Sequence, residues 1–195
     1  MPNPARHRIG LLGGTFDPPH LGHLAAAKAA RTQLGLDEVR LLVANDPWQK
    51  SAGRTVTPAP IRLEMAAALV AGEPGLGVDD SEIRRGGPTY TADTLEQLSR
   101  EHPDTDFFLI VGADTAARIH TWHRPGQVRA LSTLVVVNRD ERAIDPDAVT
   151  VTMPAVDVSS SDIRARVAND VSIAGLTTDA VVRIIDEHGL YRVPA

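Results

Sequence analysis

Residues 8–35 read RIGLLGGTFDPPHLGHLAAAKAARTQLG, and the order of the parts decides the fold. The apolar run at 8–13 has the character of a buried strand. A glycine pair, a proline pair and two histidines three positions apart follow it, and then an Ala-rich helical stretch that Gly35 can end as a C-cap. EVRLLVA at 38–44 supplies a second strand, so the segment reads strand, restricted turn, helix, strand.

The alternation continues along the chain. IRLEMAAALVAG (61–72) reads as a helix, LGVDD (76–80) as a weak strand, TADTLEQLSREH (91–102) as a helix opened by Thr91 or Thr89, and DFFLIVG (106–112) as a buried strand. STLVVV (132–137) and a TVTM strand near Thr150 come next, then two closing helices around 160–169 and 179–189. Residues 45–60, 81–88 and 138–148 read as irregular loops. Apolar strands separated by helices imply right-handed βαβ crossovers, hence an α/β fold with a doubly wound, largely parallel sheet and helices on both faces. With 195 residues and no repeat or linker, the expectation is one domain over 1–195, its C-terminal part (about 158–195) helical.

Composition narrows the function. A net charge of −5 gives no general attraction to nucleic acid or an anionic membrane, so a small molecule is the expected ligand. No apolar run approaches the roughly 18 residues that span a bilayer, and MPNPARHRIG lacks a secretory core, so the expected location is cytoplasmic. Cys is absent, which removes thiolate nucleophiles and Cys-based zinc sites.

Sheets of this kind bind ligands beyond the carboxyl ends of their strands. The segments leaving the strands here are GGTFDPPHLGH, NDPWQK, GADTAARIHTWHRP, NRDER and PAVDVSSSDIR. Glycines after a strand admit a ligand close to the backbone, and a helix start offers free N–H groups and a partial positive charge, which together suit phosphate. Neither G-x-x-x-x-G-K-[ST] nor G-x-G-x-x-G is present. His20 and His23, at i and i+3, share a helix face and could aim two ring N–H donors at one phosphoryl group, with Gly22 leaving room for substrate. Read alone, the pair could equally be a cap and a surface residue. A metal site would need a further ligand that the spacing does not offer.

GGTFDPPHLGH together with VSSSDIRARV resembles the nucleotidyltransferase superfamily, whose H-x-G-H and I-S-S-T-x-I-R signatures lie at opposite ends of a Rossmann-like domain. RGGPTYTADTL, FLIVGAD, the Trp of IHTWHRP and the final GLYR are similar to the bacterial nicotinate-nucleotide adenylyltransferases in particular, and the likeness runs from about Ile9 to Arg192. The resemblance implies transfer of the adenylyl group of ATP to nicotinate mononucleotide, with Mg²⁺ bridging phosphate oxygens and no dedicated protein metal site. It implies catalytic roles for His20, His23 and Arg164, and ATP contacts from Gly13, Gly14, Thr15, Phe16, Gly22, Asp114, Ser159, Ser160 and Ser161. Acceptor contacts would come from Asp17, Lys50, Thr91 and Trp122, the last by stacking on the pyridine ring.

Each of these residues also has a plainer reading. Ser159 or Ser160 could simply cap a helix with Arg164 solvated, Asp114 and Thr91 could be caps, and Trp122 could belong to the core. Lys50 and Arg54 could be solvated loop charges. PWQK stands where many members carry PPHK, Ser161 replaces the signature's Thr, and LTTDAVV lacks a common Pro. His120 and His123 flank Trp122 as pocket or surface residues. Nicotinamide mononucleotide is the alternative acceptor, and a nucleotide sensor without turnover the alternative class. Homo-oligomerisation is left open by the sequence.

Overall fold

Strand β1 (His7–Gly14) lies at the middle of the sheet because both of its edges are taken. On one side it pairs with β2 (Glu38–Val43) and on the other with β4 (Thr105–Gly112), both parallel. The structure is a computed structural model and describes residues 6–47, 55–138 and 145–192. With β3 (Leu76–Asp79), β5 (Thr133–Asn138) and β6 (Val149–Thr152), the six strands run in the order β3-β2-β1-β4-β5-β6, every neighbouring pair parallel. The chain therefore winds outward in one direction, returns to the centre, and winds outward in the other.

Eight helices are found among the described residues: α1 (Leu21–Leu34), α2 (Ala59–Val70), α3 (Ser81–Arg85), α4 (Thr91–Glu101), α5 (Ala113–Ala116), α6 (Pro125–Leu131), α7 (Ser160–Ala168) and α8 (Asp179–Glu187). Side chains alternate across the strands, so each central strand feeds two cores. Ile9, Leu11, Leu109, Val111, Leu134 and Val136 pack with Leu95 and Leu98 of α4, whereas Leu12, Phe108, Ile110, Val135 and Val137 pack with Ala27, Met65, Ile163 and Ile184 of α1, α2, α7 and α8. Both faces are apolar and covered, as the alternation of elements requires. No helix among the described residues is long and apolar enough to cross a membrane.

Local expectations are met with three departures. Gly35 ends α1 in the left-handed conformation at φ 59°. Residues 81–88, expected to be loop, include the short helix α3, whose entry is fixed by Ser81 N donating to Asp79 Oδ1 at 2.9 Å. Neither Thr89 nor Thr91 caps α4; Tyr90 holds that position without a side-chain bond. The Thr89 hydroxyl is instead an acceptor for Asn45 N and Asp46 N, at 3.1 and 3.3 Å. In the segment 112–125, read as a ligand-facing connection, α5 is followed by a 3-10 turn at Ile119–Thr121.

Gly10 marks the tightest point of the sheet. A Cβ there would lie 2.8 Å from Ile110 Cδ1 and Val39 Cγ2 and 2.9 Å from Leu36 Cδ1. All three are buried, so relief requires repacking, and Gly10→Ala is expected to lose about 1–3 kcal/mol. Gly13 has nothing within 4 Å of a Cβ, and Gly13→Ala should stay within about 0.5 kcal/mol of the parent. Urea unfolding of the two variants checks the contrast, and equal losses would refute it.

Candidate active site

The turn between β1 and α1 contains two prolines, which have no N–H, and makes no regular structure of its own. Its carbonyl groups are satisfied from far along the chain. Arg62 Nη1 donates to Thr15 O at 2.8 Å, Arg164 Nη1 to Asp17 O at 2.7 Å, Ser160 Oγ to Pro18 O at 2.8 Å and Thr177 Oγ1 to Pro19 O at 3.0 Å. The Asp17 carboxylate, buried with its residue, accepts a 2.7 Å bond from Tyr191 Oη. Arg62 is only 1% exposed and spends its other donors on Thr57 O and Asn45 O, at 2.7 and 2.8 Å, so the first turn and the second are tied to one guanidinium.

Within this frame Phe16 adopts a positive φ of 53° and turns its ring under Gly14, where a Cβ would come within 2.8 Å of it. Glycine at 14 is thus required by Phe16. Gly22 has a similar cause: a Cβ would meet His20 Nδ1 at 3.0 Å, so the imidazole requires glycine there, and the residue also lines the first cleft.

His20 is the extended N-cap residue of α1, and the two imidazoles stack with centroids 3.7 Å apart, tilted by 32°. The pair shares a face as the spacing predicts. His20 N donates to His23 Nδ1 at 3.1 Å, which leaves the ring proton of a neutral His23 on Nε2. His20 is buried, its Nδ1 has no hydrogen-bond partner among the described residues, and burial pushes its pKa down to about 4. The His20 ring is therefore neutral at physiological pH.

Two clefts open above the sheet. The first, about 970 Å³, is lined by Gly13, Gly14, Thr15, Phe16, Asp17, His20, Gly22 and His23 from the end of β1 to the start of α1, Asp114 and Thr115 after β4, Asn138 at the end of β5, and Ser160, Ser161 and Arg164 of α7. The second, about 420 Å³, is lined by Thr89, Tyr90, Thr91, Arg118, Trp122 and His123, with Glu82 also on its wall. Gly13, Gly14, Thr15, Val111, Gly112 and Thr115 line both. The shared wall is the carboxyl end of β1 and β4, where the winding direction reverses, the position at which such sheets hold ligands.

The candidates from the sequence thus divide between adjoining clefts, with two exceptions. Ser159 is not part of either lining; its Oγ accepts from Asp162 N at 3.0 Å and caps α7, so the plainer reading holds for it. Lys50 and Arg54 lie outside the described residues. Asp114 is exposed and is no cap, since Gly112 holds that position. Trp122 is half-buried, sharing its surface between the second core and the cleft. His123 stacks against Tyr90, 4.6 Å between centroids, and His120 is exposed.

Sequence reading passed over Arg62, Glu82 and Tyr191. Arg62 left a trace as the one cation within an apolar helical run, and Tyr191 within GLYR, but neither pattern names the distant carbonyl or carboxylate it serves. Glu82 gave no signal. Its residue is 3% exposed, and burial raises its pKa to about 7 despite hydrogen bonds from Thr94 and Thr89 and the nearby charge of Arg85.

A cytidylyltransferase-like family model matches residues 11–166, most of the chain including both signature segments, so this is a nucleotidyltransferase of that family. Among its relatives are proteins named probable nicotinate-nucleotide adenylyltransferase from Albidiferax ferrireducens, 39% identical over 95% of this chain and 98% of the relative, and from Clavibacter michiganensis, 40% identical over the whole of both. The chain belongs to the nicotinate-nucleotide adenylyltransferases. Its fold matches the Plasmodium falciparum nicotinic acid mononucleotide adenylyltransferase complexed with NaAD, with a TM-score of 0.78 and 18% identity over 95% of this chain and 97% of that one.

The buried His20 makes stability depend on pH with a defined sign. Its folded pKa of about 4 lies below the ordinary value of 6.5, so between these limits the unfolded chain binds the proton that the folded one refuses. Stability from this group is present above pH 6.5 and is lost as pH falls toward 4, by roughly 3 kcal/mol at about 1.4 per unit. Glu82 acts oppositely over much the same range, because its folded pKa is raised. The comparison must therefore be with His20→Asn: the stability difference between parent and variant in urea should shift against the parent by a few kcal/mol on going from pH 7 to 4. A pH-independent difference would refute the buried neutral imidazole.

Proposed function

We propose that the chain transfers the adenylyl group of ATP to nicotinate mononucleotide, releasing pyrophosphate and forming deamido-NAD. The observation that carries this reading is the wall common to the two clefts. A nucleotide triphosphate fits the larger cleft and a mononucleotide the smaller, and their reacting phosphates meet over Gly13–Thr15 and Gly112, where no bulky side chain intervenes. An oxygen of the mononucleotide phosphate attacks the α-phosphorus, and the bond to the bridging oxygen of pyrophosphate breaks. The attacking group is already anionic, so the protein supplies alignment and charge stabilisation and no nucleophile.

The hydrogen bonds distribute these tasks. His23, with Nδ1 engaged by the backbone, presents Nε2–H to the phosphoryl oxygens, and the neutral His20 ring stacked on it holds its plane. Arg164 Nη2 donates to Ser161 Oγ at 3.0 Å, so the Ser161 hydroxyl proton is left for a phosphate oxygen at the start of α7, while the proton of Ser160 serves Pro18 O. Arg164 brings positive charge to the leaving pyrophosphate and fastens the turn beneath it. In this reading Asp114 meets ribose hydroxyls from the larger cleft, and Thr91 and Trp122 receive the pyridine ring in the smaller. Asp17, bonded to Tyr191, acts in this reading through the shape of the turn as much as by direct contact.

Among the described residues no group of three or more His, Cys, Asp or Glu side chains could hold a metal ion. The lining would suit a Mg²⁺ ion carried in by ATP and held by the nucleotide and water, with no dedicated set of protein carboxylates. When bound with ATP, such an ion supplies charge neutralisation on the phosphates. Nicotinate is preferred to nicotinamide in this reading because the N–H groups at the start of α4 suit a carboxylate better than an amide.

Two measurements test the proposal. His23→Ala should lower kcat one hundred to a thousandfold, the equivalent of about 2.7–4 kcal/mol, with a much smaller effect on ATP binding; unchanged turnover would remove His23 from the chemistry. ATP turnover with nicotinate and nicotinamide mononucleotides side by side should favour nicotinate by roughly ten to a hundredfold in kcat/KM. Trp122→Ala should weaken both acceptors alike. Equal use of the two by the parent would refute the acceptor assignment, and binding without turnover would identify a sensor.

A further inference from the structure

Glu82 is a buried carboxyl on the wall of the second cleft, and the reaction as described makes no use of it. Its surroundings are built to operate in two charge states. Thr94 Oγ1 donates to Glu82 Oε1 at 2.8 Å, and the same hydroxyl oxygen accepts from Arg85 Nη2 at 2.8 Å and lies 3.3 Å from Tyr90 O. With Glu82 ionised, the Thr94 proton points to the carboxylate. With Glu82 protonated, the carboxyl can donate to Thr94 and the Thr94 proton can turn to Tyr90 O, with no polar group left unpaired. The Thr89 hydroxyl also bonds the carboxyl while accepting from Asn45 N and Asp46 N, so Glu82 braces both segments that frame the cleft.

We propose that Glu82 is a specificity-determining positioning residue for the acceptor, taking up a proton from solvent when a ring bearing a carboxylate enters the second cleft. The inference rests on the acceptor assignment above. Two carboxylates in one small, partly enclosed cleft repel, and the cost is relieved by protonating the one already shielded from water. An amide on the same ring gives no such repulsion and leaves Glu82 ionised.

The other charges around Glu82 are accounted for. Asp79, at the end of β3, adds repulsion and is engaged by Arg40 of β2 at 3.6 Å. Arg85, on the helix of Glu82, favours the ionised form but is shared with Thr94 and with Gln97 Oε1 at 3.1 Å. Arg118 and His123 line the same cleft from the segment after β4, as does Tyr90, whose ring stacks on His123. Burial outweighs the nearby positive charge and leaves the group at about 7, poised to change state near neutrality.

The test is calorimetric binding of nicotinate mononucleotide and of nicotinamide mononucleotide to the intact protein near pH 7.5, in two buffers of different ionisation enthalpy. The parent should take up a substantial fraction of one proton more with nicotinate than with nicotinamide. Above pH 7 the preference for nicotinate in KM should fall, approaching tenfold per pH unit. Glu82→Gln, which keeps an acceptor for the two hydroxyls, should abolish the excess uptake and flatten the pH profile. Equal proton uptake for the two acceptors in the parent overturns the proposal without any variant, as does a pH profile that survives in a folded Glu82→Gln. Failure of the acceptor assignment looks different: turnover is then equal with the two mononucleotides or absent with nicotinate mononucleotide, whereas failure of this proposal alone leaves nicotinate preferred with equal proton uptake.

Discussion

The capture of the carbonyl groups of Thr15, Asp17, Pro18 and Pro19 is the constraint on which the rest of the site depends. The proline pair gives this turn a fixed path and deprives it of two N–H donors, so its oxygens need partners from elsewhere. Those partners are Arg62 on α2, Arg164 and Ser160 on α7, and Thr177 just before α8. Each such bond to a charged donor contributes about 1.5–3 kcal/mol and each neutral one about 1. More important than the sum is where they converge. The turn carries Phe16 to the base of Gly14 and delivers the imidazoles at the start of α1, so the geometry of the histidine pair is set by residues far along the chain, of which Arg62 and Thr177 lie outside both cleft linings.

This arrangement gives Arg164 two functions that a single charge could not combine. Its planar fork fixes the distance between the turn and α7 through Asp17 O and Ser161 Oγ while keeping positive charge in the cleft. His20 shows the complementary economy. Burial removes its charge, and the neutral ring then serves as a flat support for His23 and fills the space that Gly22 leaves open. The groups that bring positive charge to the first cleft are thus Arg164 and the starts of α1 and α7.

Much of this was legible in the sequence, and the reasons are physical. A parallel sheet covered on both faces leaves near-continuous apolar runs such as 106–112, and its helices leave caps such as Gly35, so element order and sheet type could be read locally. The first turn and the Ser-rich segment before α7 were legible because their glycines, prolines and hydroxyl residues serve local geometry. What could not be read was pairing across distance. Nothing in IRLEMAAALVAG states that Arg62 reaches Thr15 and Asn45, and nothing in the segment after β3 states that Glu82 is dry, because burial is decided by α4 and the second turn folding over it. Ser159 shows the converse limit: a signature position can be occupied by a cap, and only the direction of its hydroxyl separates the two roles.

The bond between Tyr191 and Asp17 joins positions 174 apart. During synthesis β1 and its turn leave the ribosome before α7 and α8, yet the carboxylate of that turn finds its partner only after residue 191 has emerged. Residues 164 and 177 are awaited as well. A nascent or cleaved chain that stops short of these positions would carry His20 and His23 on a turn that lacks the partners of Asp17 O and Pro19 O. The order of synthesis thus runs against the order of support: the turn that carries His20 and His23 has its full set of partners only once residues 164–191 are in place.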